Sequence, residues 1–364
     1  MILYAVACAS SPADDSGSPP AAWVDDSPPD APGPYTAGTF EAAFVSTTGL
    51  TLPVQVWYPA ADTDGAPALY DGFFAGTALD GPTPDCGDTR PVMMFSHGSG
   101  GIRYQSIYWT EYLATHGWIV VAPDHIGNTY LDDTADLDLM GLAQRRPVDI
   151  RDTYDWLLDT GGDGRLTGCF DPDAGYAMSG HSFGAFTTLA LTGATIEVAT
   201  SLDYCGGSHD WLCGGLEDYA AKHPEVTQID LSDSRATLGI PMAPAGYELL
   251  LGGLPSITVP ELVWGGTMDT LTPVDTQVRP IWEAAGGEPA VLALIEEAGH
   301  YTFSDACLLL PIFDDCEPPY LDAAVAHPII ATVSTAFLQH TQGVEAASAF
   351  LPPEGEPLLS WEER

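Results

Sequence analysis

Short apolar stretches alternate with segments of helical periodicity along most of the chain. The first part differs, because apolar and polar residues alternate over residues 39–45 and 50–58 as they do in an antiparallel strand pair. Short uninterrupted apolar stretches are typical of strands that are buried on both faces. Such strands are predicted at residues 91–96, 118–122, 175–179, 236–242, 261–264 and 290–295. Helices are predicted at residues 104–116, 148–158, 183–192, 273–285 and 327–340.

This order of elements predicts an α/β fold with a mainly parallel central sheet flanked by helices. One domain over residues 35–342 is expected, because the motifs described below are spread across that range. Residues 1–34 are rich in Ser, Pro, Asp and Gly, and we expect a leader followed by a disordered linker. Residues 343–364 are expected to form a C-terminal tail. An insertion at about 200–233 interrupts the alternation of elements and is expected to cap the functional site as a lid.

Charge narrows the range of partners. The chain has 364 residues and a formal charge of −41, from 51 acidic and 10 basic residues. A field of this sign repels phosphate backbones, which excludes nucleic acid as a partner. The acidic residues Asp132, Asp133, Asp136 and Asp138 raise calcium binding as an alternative function. They lack the spacing of a calcium-binding loop, so a solvated acidic loop is the preferred interpretation.

The cysteines indicate disulfides rather than a metal site. No Cys/His cluster has zinc spacing, and neither a metal nor another cofactor is expected. Two pairs of cysteines each enclose a short loop, which leaves one further pair for a long-range bond. The predicted disulfides are Cys205–Cys213, Cys307–Cys316 and Cys86–Cys169. Paired cysteines indicate an oxidising compartment, with buried free thiols in a cytoplasmic enzyme as the alternative.

Cys8 is the one cysteine outside these pairs. It follows a short apolar stretch, residues 2–7, that ends in small residues and resembles the lipobox end of a bacterial lipoprotein signal. The stretch lacks a basic region before it and is shorter than usual. On this resemblance we expect a secreted, periplasmic or membrane-anchored bacterial lipoprotein with Cys8 as its lipid anchor. A ragged N-terminus is the alternative.

One pentapeptide carries the chemistry. Residues 180–184 read G-H-S-F-G, between a predicted strand and a predicted helix. This is the context in which G-x-S-x-G forms a sharp turn that exposes a nucleophilic serine. The two glycines permit the turn, and the N-terminus of the following helix favours developing negative charge. Ser182 is therefore the predicted nucleophile.

A serine hydroxyl needs a base within hydrogen-bond reach, and an acid to orient that base. After this type of turn the partners follow in the order acid, then histidine. His300 lies on a Gly-His loop just after a predicted strand, which makes it the expected base. Asp269 follows a strand and a Gly turn before His300, and is the expected acid. Asp203 and Asp275 are its rivals.

Two backbone N–H groups are needed to bind the oxygen anion that forms during acyl transfer. We expect one from Phe183, directly after the nucleophile, and one from Ser99 in the loop after the first parallel strand. That loop, residues 95–101, reads F-S-H-G-S-G-G. His97 is expected to brace the loop by hydrogen bonds rather than to act on substrate.

These blocks resemble the α/β-hydrolase superfamily. Within it, they are similar to plasma-type platelet-activating-factor acetylhydrolases and to predicted dienelactone hydrolases of bacteria. The blocks that carry the resemblance are residues 95–101, 121–129, 146–150, 180–184 and 241–246. The plasma enzymes carry their acid in the last of these blocks, where this chain has no carboxylate. Asp269 therefore follows the bacterial branch, and Ser182 replaces the cysteine nucleophile of true dienelactone hydrolases.

The resemblance implies the α/β-hydrolase fold and a serine hydrolase that cleaves carboxylic esters through an acyl-enzyme. The expected substrate is a small-molecule, lipid or polymer ester, and a monomer is expected. A lipase or polyester hydrolase that acts on insoluble substrates is one alternative, favoured if exposed aromatic residues surround Ser182. A noncatalytic binding protein on the same scaffold is another. The aromatic residues proposed to line an acyl site are Phe73, Phe74, Trp109, Trp211 and Trp264.

Overall fold

The computed structural model describes residues 23–132, 138–206, 211–309 and 313–364, without the side chains of Trp211 and Leu309. Cys8, Asp133 and Asp136 lie outside the described residues, so their predicted roles stay predictions. The same holds for contacts of the Trp211 side chain.

Thirteen strands form within these residues. They are β1 (Thr36–Val45), β2 (Thr51–Ala60), β3 (Ala66–Tyr70), β4 (Phe74–Asp80), β5 (Val92–Ser96), β6 (Ile119–Pro123), β7 (Tyr176–His181), β8 (Ile196–Glu197), β9 (Gln228–Ile229), β10 (Ala236–Met242), β11 (Glu261–Gly266), β12 (Ala290–Ile295) and β13 (Leu359–Glu363). The α-helices are α1 (Ile107–Thr115), α2 (Leu139–Thr160), α3 (Phe183–Thr192), α4 (Val198–Cys205), α5 (Trp211–Lys222), α6 (Tyr247–Leu250), α7 (Arg279–Ala284), α8 (Ala306–Leu309) and α9 (Ala323–Thr341).

Eleven of the strands form one sheet, in the order β13-β12-β11-β10-β7-β5-β6-β2-β1-β4-β3. The six strands from β12 to β6 run parallel to one another. β2 is antiparallel to β6 and to β1, as the alternating pattern predicted, and β13 is antiparallel to β12. All six predicted buried strands are present, and the mainly parallel α/β architecture is confirmed.

Helices cover both faces of the sheet, which is why its central strands are apolar throughout. Successive side chains of a strand point to opposite faces. In β5, Met93 and Phe95 pack in the core that includes α1 and α9. Val92 and Met94 pack in the core that includes α2. Both faces of β5 are therefore buried, and neither is exposed to solvent.

The domain limits differ from the expectation at both ends. Residues 23–34 were expected to belong to a disordered linker, but Asp25 in this segment is buried. Its carboxylate lies 2.7 Å from Nδ1 of His116 and accepts a hydrogen bond from Nε2 of Gln339 at 2.8 Å. The expected tail, residues 343–364, supplies β13 and thereby an edge of the sheet. Burial and backbone pairing, which composition does not report, fix both segments to the domain.

The three predicted disulfides are confirmed: Cys86–Cys169, Cys205–Cys213 and Cys307–Cys316. Three disulfides are compatible with an extracellular or periplasmic protein. No helix within the described ranges combines the length and the apolar character needed to cross a bilayer.

Candidate active site

Ser182 stands at the sharp turn between β7 and α3. Its backbone adopts φ 58° and ψ −116°, a conformation that a residue with a Cβ rarely adopts. Its N–H donates to the carbonyl oxygen of Met242 at 2.9 Å, which helps to hold the strained turn. A Cβ on Gly184 would overlap the carbonyl oxygen of Ser96, and one on Gly180 would overlap the backbone of Gly184. Both glycines are therefore required by close backbone approach.

His300 and Asp269 lie together at the carboxyl ends of β12 and β11. Nδ1 of His300 is 2.8 Å from Oδ2 of Asp269, and both residues are buried. The carboxylate also accepts hydrogen bonds from the N–H groups of Leu271 and Thr272 at 2.8 Å, and from Oγ1 of Thr272 at 2.7 Å. Because Nδ1 donates to Asp269, Nε2 of His300 is left as the nitrogen that can accept a proton.

The pKa of Asp269 decides its charge. Burial opposes ionisation, but the hydrogen bonds and charge interaction with His300, together with the hydrogen bonds from Thr272, lower the pKa to about 2. The group is a carboxylate at neutral pH and can stabilise a protonated His300. Asp203 and Asp275, the rival acids, are both exposed, on α4 and on the π-helical turn Val274–Val278. The structure therefore brings Asp269, and neither rival, to His300.

The loop after β5 holds Ser99 at the same site. Within the described part of the chain, the Ser99 N–H donates to no acceptor. Phe183 is the first residue of α3, so its N–H lies in the turn of the helix where donors point outward. His97 braces this loop as expected: the N–H of His125 donates to Nε2 of His97 at 3.0 Å, which leaves Nδ1 to donate to the carbonyl oxygen of Gly98 at 2.7 Å. Burial and the charge of Arg146 hold the pKa of His97 well below its usual range, so the ring is neutral.

Gln105 is a site residue that was not predicted from the sequence. Its Oε1 accepts from the N–H of Gly98 at 2.9 Å, and its Nε2 donates to Nδ1 of His181 at 3.1 Å. Nε2 of His181 in turn donates to the carbonyl oxygen of His300 at 2.9 Å. One amide thus links the loop after β5, the serine turn and the histidine. No motif marks Gln105, because it lies in an irregular segment before α1.

Arg146 is the second unforeseen residue, although it lies in a block that carries the family resemblance. It is fully buried in α2 and donates to Oδ1 of Asn128 at 2.5 Å, to Oγ of Ser96 at 3.2 Å and to the carbonyl oxygen of His97. Its guanidinium carbon lies 4.9 Å from the centre of the Phe183 ring. Burial lowers the pKa of Arg146 to about 9, so it stays charged at neutral pH. Arg146 therefore contacts both segments that hold the expected oxyanion donors.

A cavity of about 550 Å³ opens beside these groups, and both Ser182 and His300 line it. This volume is in the range of small-molecule sites. Most of its lining is apolar. The aromatic residues of the lining are Phe73, Phe74, Tyr104, Tyr130, Tyr301 and Phe313. Phe73 and Phe74 were expected here. They come from the tip of the β3–β4 hairpin.

The expectation that Trp109 and Trp264 line the cavity is wrong. Both are fully buried in the core, and neither belongs to the lining. Nε1 of Trp264 donates to Oγ of Ser334 at 3.0 Å, on α9. Trp109 and Trp264 lie on elements that pack together between the sheet and the helices, so their rings form part of the hydrophobic core.

The expectation that the insertion is a lid is also wrong for the residues that the structure describes. None of the described residues between 200 and 233 lines the cavity. Helices α4 and α5 pack instead against other helices, and Leu212 and Leu216 join a core with Met140 of α2 and Leu249 of α6. The wall next to His300 comes from Tyr301, Ala306 and Phe313, which belong to or flank the Cys307–Cys316 loop.

Among the described residues, one cluster of three potential metal ligands occurs, formed by Cys307, Asp315 and Cys316. Its two sulfur atoms are joined in a disulfide, which removes them as thiolate ligands. In the acidic loop, Asp132 accepts hydrogen bonds from Gly127 and Thr129. Asp138 caps α2 through the N–H of Gly141 at 2.9 Å. Both carboxylates therefore hydrogen-bond to neighbouring residues of their own loop or helix.

No family model matches the chain, and no curated protein sequence is significantly similar to it.

Proposed function

We propose that this protein is a serine hydrolase with the α/β-hydrolase fold that cleaves carboxylic esters through an acyl-enzyme. The observation that carries the proposal is that Ser182, at a strained strand–helix turn, shares a cavity with His300, whose Nδ1 lies 2.8 Å from Asp269. The family resemblance of the sequence blocks and the mainly parallel sheet support the same fold. The three disulfides support an exported enzyme.

The reaction follows from the roles of the side chains. Oγ of Ser182 attacks the ester carbonyl carbon while Nε2 of His300 takes its proton. The Asp269 carboxylate stabilises the imidazolium and keeps Nδ1 protonated. His300 then gives the proton to the leaving alcohol, and the acyl group stays on Ser182. Water repeats the sequence and releases the carboxylic acid.

The oxyanion of each tetrahedral intermediate is assigned to the N–H groups of Ser99 and Phe183. Such donors are most effective when they are fixed before the reaction begins. Arg146 and Gln105 supply this rigidity, because they bind His97 and Gly98 in the Ser99 loop through the contacts described above. The charge of Arg146, which contacts His97 and the Phe183 ring, adds a favourable potential.

Labelling by a fluorophosphonate tests the proposal directly. The probe should form a covalent adduct at Ser182, mapped by peptide mass spectrometry, and Ser182→Ala should abolish it. Ser304→Ala is the matched control, since Ser304 also lines the cavity but hydrogen-bonds only within its own turn. Labelling that survives in Ser182→Ala would overturn the assignment of the nucleophile. No adduct in the wild-type protein would overturn the proposal and favour a noncatalytic binding protein.

A lipase or polyester hydrolase is the second candidate, and one observation favours it. Three apolar or aromatic residues of the cavity lining are strongly exposed: Phe73 by 65%, Leu271 by 60% and Tyr130 by 44%. Exposed apolar residues grouped around a site are typical of surfaces that meet another apolar surface. A sharp rise in hydrolysis of a short-chain triacylglycerol above its solubility limit would support this candidate. Saturation below that limit would contradict it.

A further inference from the structure

We infer that this cavity selects uncharged esters and discriminates against esters that carry an anionic group, such as a free carboxylate. The inference rests on the proposed function, and it specifies the substrate class of the same site. It depends on the position of every basic residue in the chain, on the residues that line the cavity and on the charge of the whole protein.

The chain has ten basic residues, nine arginines and Lys222, and all ten lie in the ranges that the structure describes. None of them belongs to the cavity lining. The undescribed segments contain no Lys or Arg at all. The chain therefore has no Lys or Arg side chain in this cavity with which to pair a substrate anion.

Arg103 is adjacent in sequence to Tyr104 of the lining, but its charge is already neutralised. Its guanidinium lies 2.7 Å from Asp124, 3.1 Å from Glu41 and 3.8 Å from Asp71. Three carboxylates around one guanidinium leave the neighbourhood of Tyr104 negative. Arg146 is fully buried, and its N–H groups donate to protein acceptors behind the loop after β5.

The histidines of the lining do not supply the missing positive charge. Burial and the charge of His300 lower the pKa of His181 to about 3, so His181 is neutral at working pH. His300 has to be neutral to accept the proton of Ser182. The remaining lining is aromatic, aliphatic, glycine or neutral polar. A carboxylate that enters this cavity would lose water without gaining a partner, which is strongly unfavourable.

The charge of the whole protein acts in the same direction before binding. With a formal charge of −41, the surface repels anionic solutes and slows their encounter with the site. This long-range part is screened by salt, because the Debye length falls from about 10 Å at 0.1 M to about 3 Å at 1 M. Salt does not remove the free-energy cost of desolvating a carboxylate inside the cavity.

A matched pair of substrates tests the inference. The p-nitrophenyl ester of monomethyl adipate is uncharged, whereas the p-nitrophenyl ester of adipic acid carries a free carboxylate at the same position. At pH 7.5 and low salt, we expect kcat/KM for the uncharged ester to be on the order of 10²-fold higher. In 1 M NaCl the ratio should fall but stay well above one. A ratio near one at low salt would overturn the inference while the proposed function stands, and failure to cleave either ester would overturn both.

A charge placed in the cavity provides the second arm. Leu271→Arg adds a guanidinium at an exposed position of the lining, and the ratio should shift three- to tenfold toward the anionic ester. Val45→Arg is the matched control, because Val45 is 69% exposed and lies outside the lining, so only the net charge changes. An equal shift in both variants would show that net charge alone decides, and would overturn the role of the cavity. An unchanged ratio in Leu271→Arg would overturn it as well.

Discussion

Two regions that each contain a disulfide over a short loop have different positions relative to the candidate active site. The insertion, residues 200–233, contains the Cys205–Cys213 disulfide, and the histidine loop, residues 299–316, contains Cys307–Cys316. The cysteines are separated by 8 and 9 residues, respectively. Of the described residues in these two regions, only those of the histidine loop line the cavity. Cysteine spacing therefore predicted both bonds without predicting what either bond holds in place.

The sheet topology explains the difference. The histidine loop leaves the carboxyl end of β12, which is the edge of a parallel sheet where ligands bind. The insertion begins only after α3 has returned to the opposite edge. Both ends of the segment from α3 to β10 meet there, since the N–H of Asp233 donates to the carbonyl oxygen of Leu191 at 3.0 Å. Beyond that edge, α4 and α5 pack in a core with α2 and α6.

The disulfide-bonded part of the histidine loop also contacts Tyr301, the residue next to the candidate base. Oδ2 of Asp315 accepts a hydrogen bond from the N–H of Tyr301, the residue after His300, at 2.8 Å. The Phe313 ring stacks on Tyr301, with 3.9 Å between ring centres. At its other end, the N–H of Asp305 donates to the carbonyl oxygen of Gln105 at 2.7 Å. A substitution in this loop is therefore expected to affect both His300 and the cavity wall. Four experiments test whether the histidine loop affects the site and the insertion does not.

The largest expected difference is between Asp269, which is bonded to His300 of the histidine loop, and Asp203 of the insertion. Asp269→Asn should fold yet lose on the order of 10⁴ in kcat, because an amide does not hold His300 in the productive tautomer. Asp203→Asn, on the exposed surface of the insertion, should leave kcat within twofold of wild type. Steady-state kinetics on a soluble p-nitrophenyl ester measures both. A crippled Asp203→Asn enzyme would show that the insertion supplies the acid.

Removal of each disulfide separates stability from specificity. Closing a loop of this length contributes about 2.5 kcal/mol in the chain-entropy treatment. Cys205→Ser with Cys213→Ser, and Cys307→Ser with Cys316→Ser, should therefore lower the free energy of unfolding by similar amounts in urea titrations. Only the histidine-loop variant should change the relative kcat/KM across p-nitrophenyl esters of graded acyl length. The comparison fails if the insertion variant changes that profile equally.

The pH dependence of the free energy of unfolding should also distinguish Asp269 from Asp203. The pKa of Asp269 is lowered from 3.8 to about 2, so its contribution to stability is present above pH 3.8 and is lost as pH falls through about 2. A shift of this size corresponds to about 2 kcal/mol. Wild-type protein should lose that much more stability than Asp269→Asn between pH 5 and pH 2, as measured by urea unfolding. Asp203→Asn should follow the wild-type curve, and parallel curves for all three proteins would contradict the assignment.

The smallest expected effect comes from the bond between Asp315 and Tyr301. Asp315→Ala removes the acceptor of the Tyr301 N–H, which lets the His300 segment shift, and kcat should fall about tenfold. Asp218→Ala, on the exposed side of α5, is the matched control and should have no effect on kcat. If Asp315→Ala raises KM and leaves kcat unchanged, the loop shapes only substrate binding and does not position His300.

Local patterns predicted much of this molecule. The apolar stretches located all six central strands, because strands covered on both faces allow no polar interruption. The turn at Ser182 was predictable, since two glycines beside a serine, between a strand and a helix, meet a steric requirement that is contained in five residues. Asp269 and His300 followed from the order of the strands. Their 2.8 Å contact agrees with that prediction, while their catalytic roles stay predictions.

Contacts between distant segments were not predictable in this way. Gln105 and Arg146 act through hydrogen bonds to residues in other elements, and no local pattern distinguishes them from an ordinary loop amide or a helix-surface arginine. The same limit explains Trp109 and Trp264. Periodicity shows that a ring is buried, but it does not show whether the ring faces the core or a cavity.

By itself, the sequence determined the parallel sheet, the serine turn, the disulfide pairs and the strongly negative charge. Each of these depends on residue type, spacing or count along the chain. Only the tertiary structure decided that the histidine loop forms a wall of the cavity, that the insertion packs against α2 and α6, and that every basic residue lies outside the cavity. These outcomes depend on which edge of the sheet each connection reaches and on which neighbour occupies the space, and both are set by packing between segments far apart in the chain.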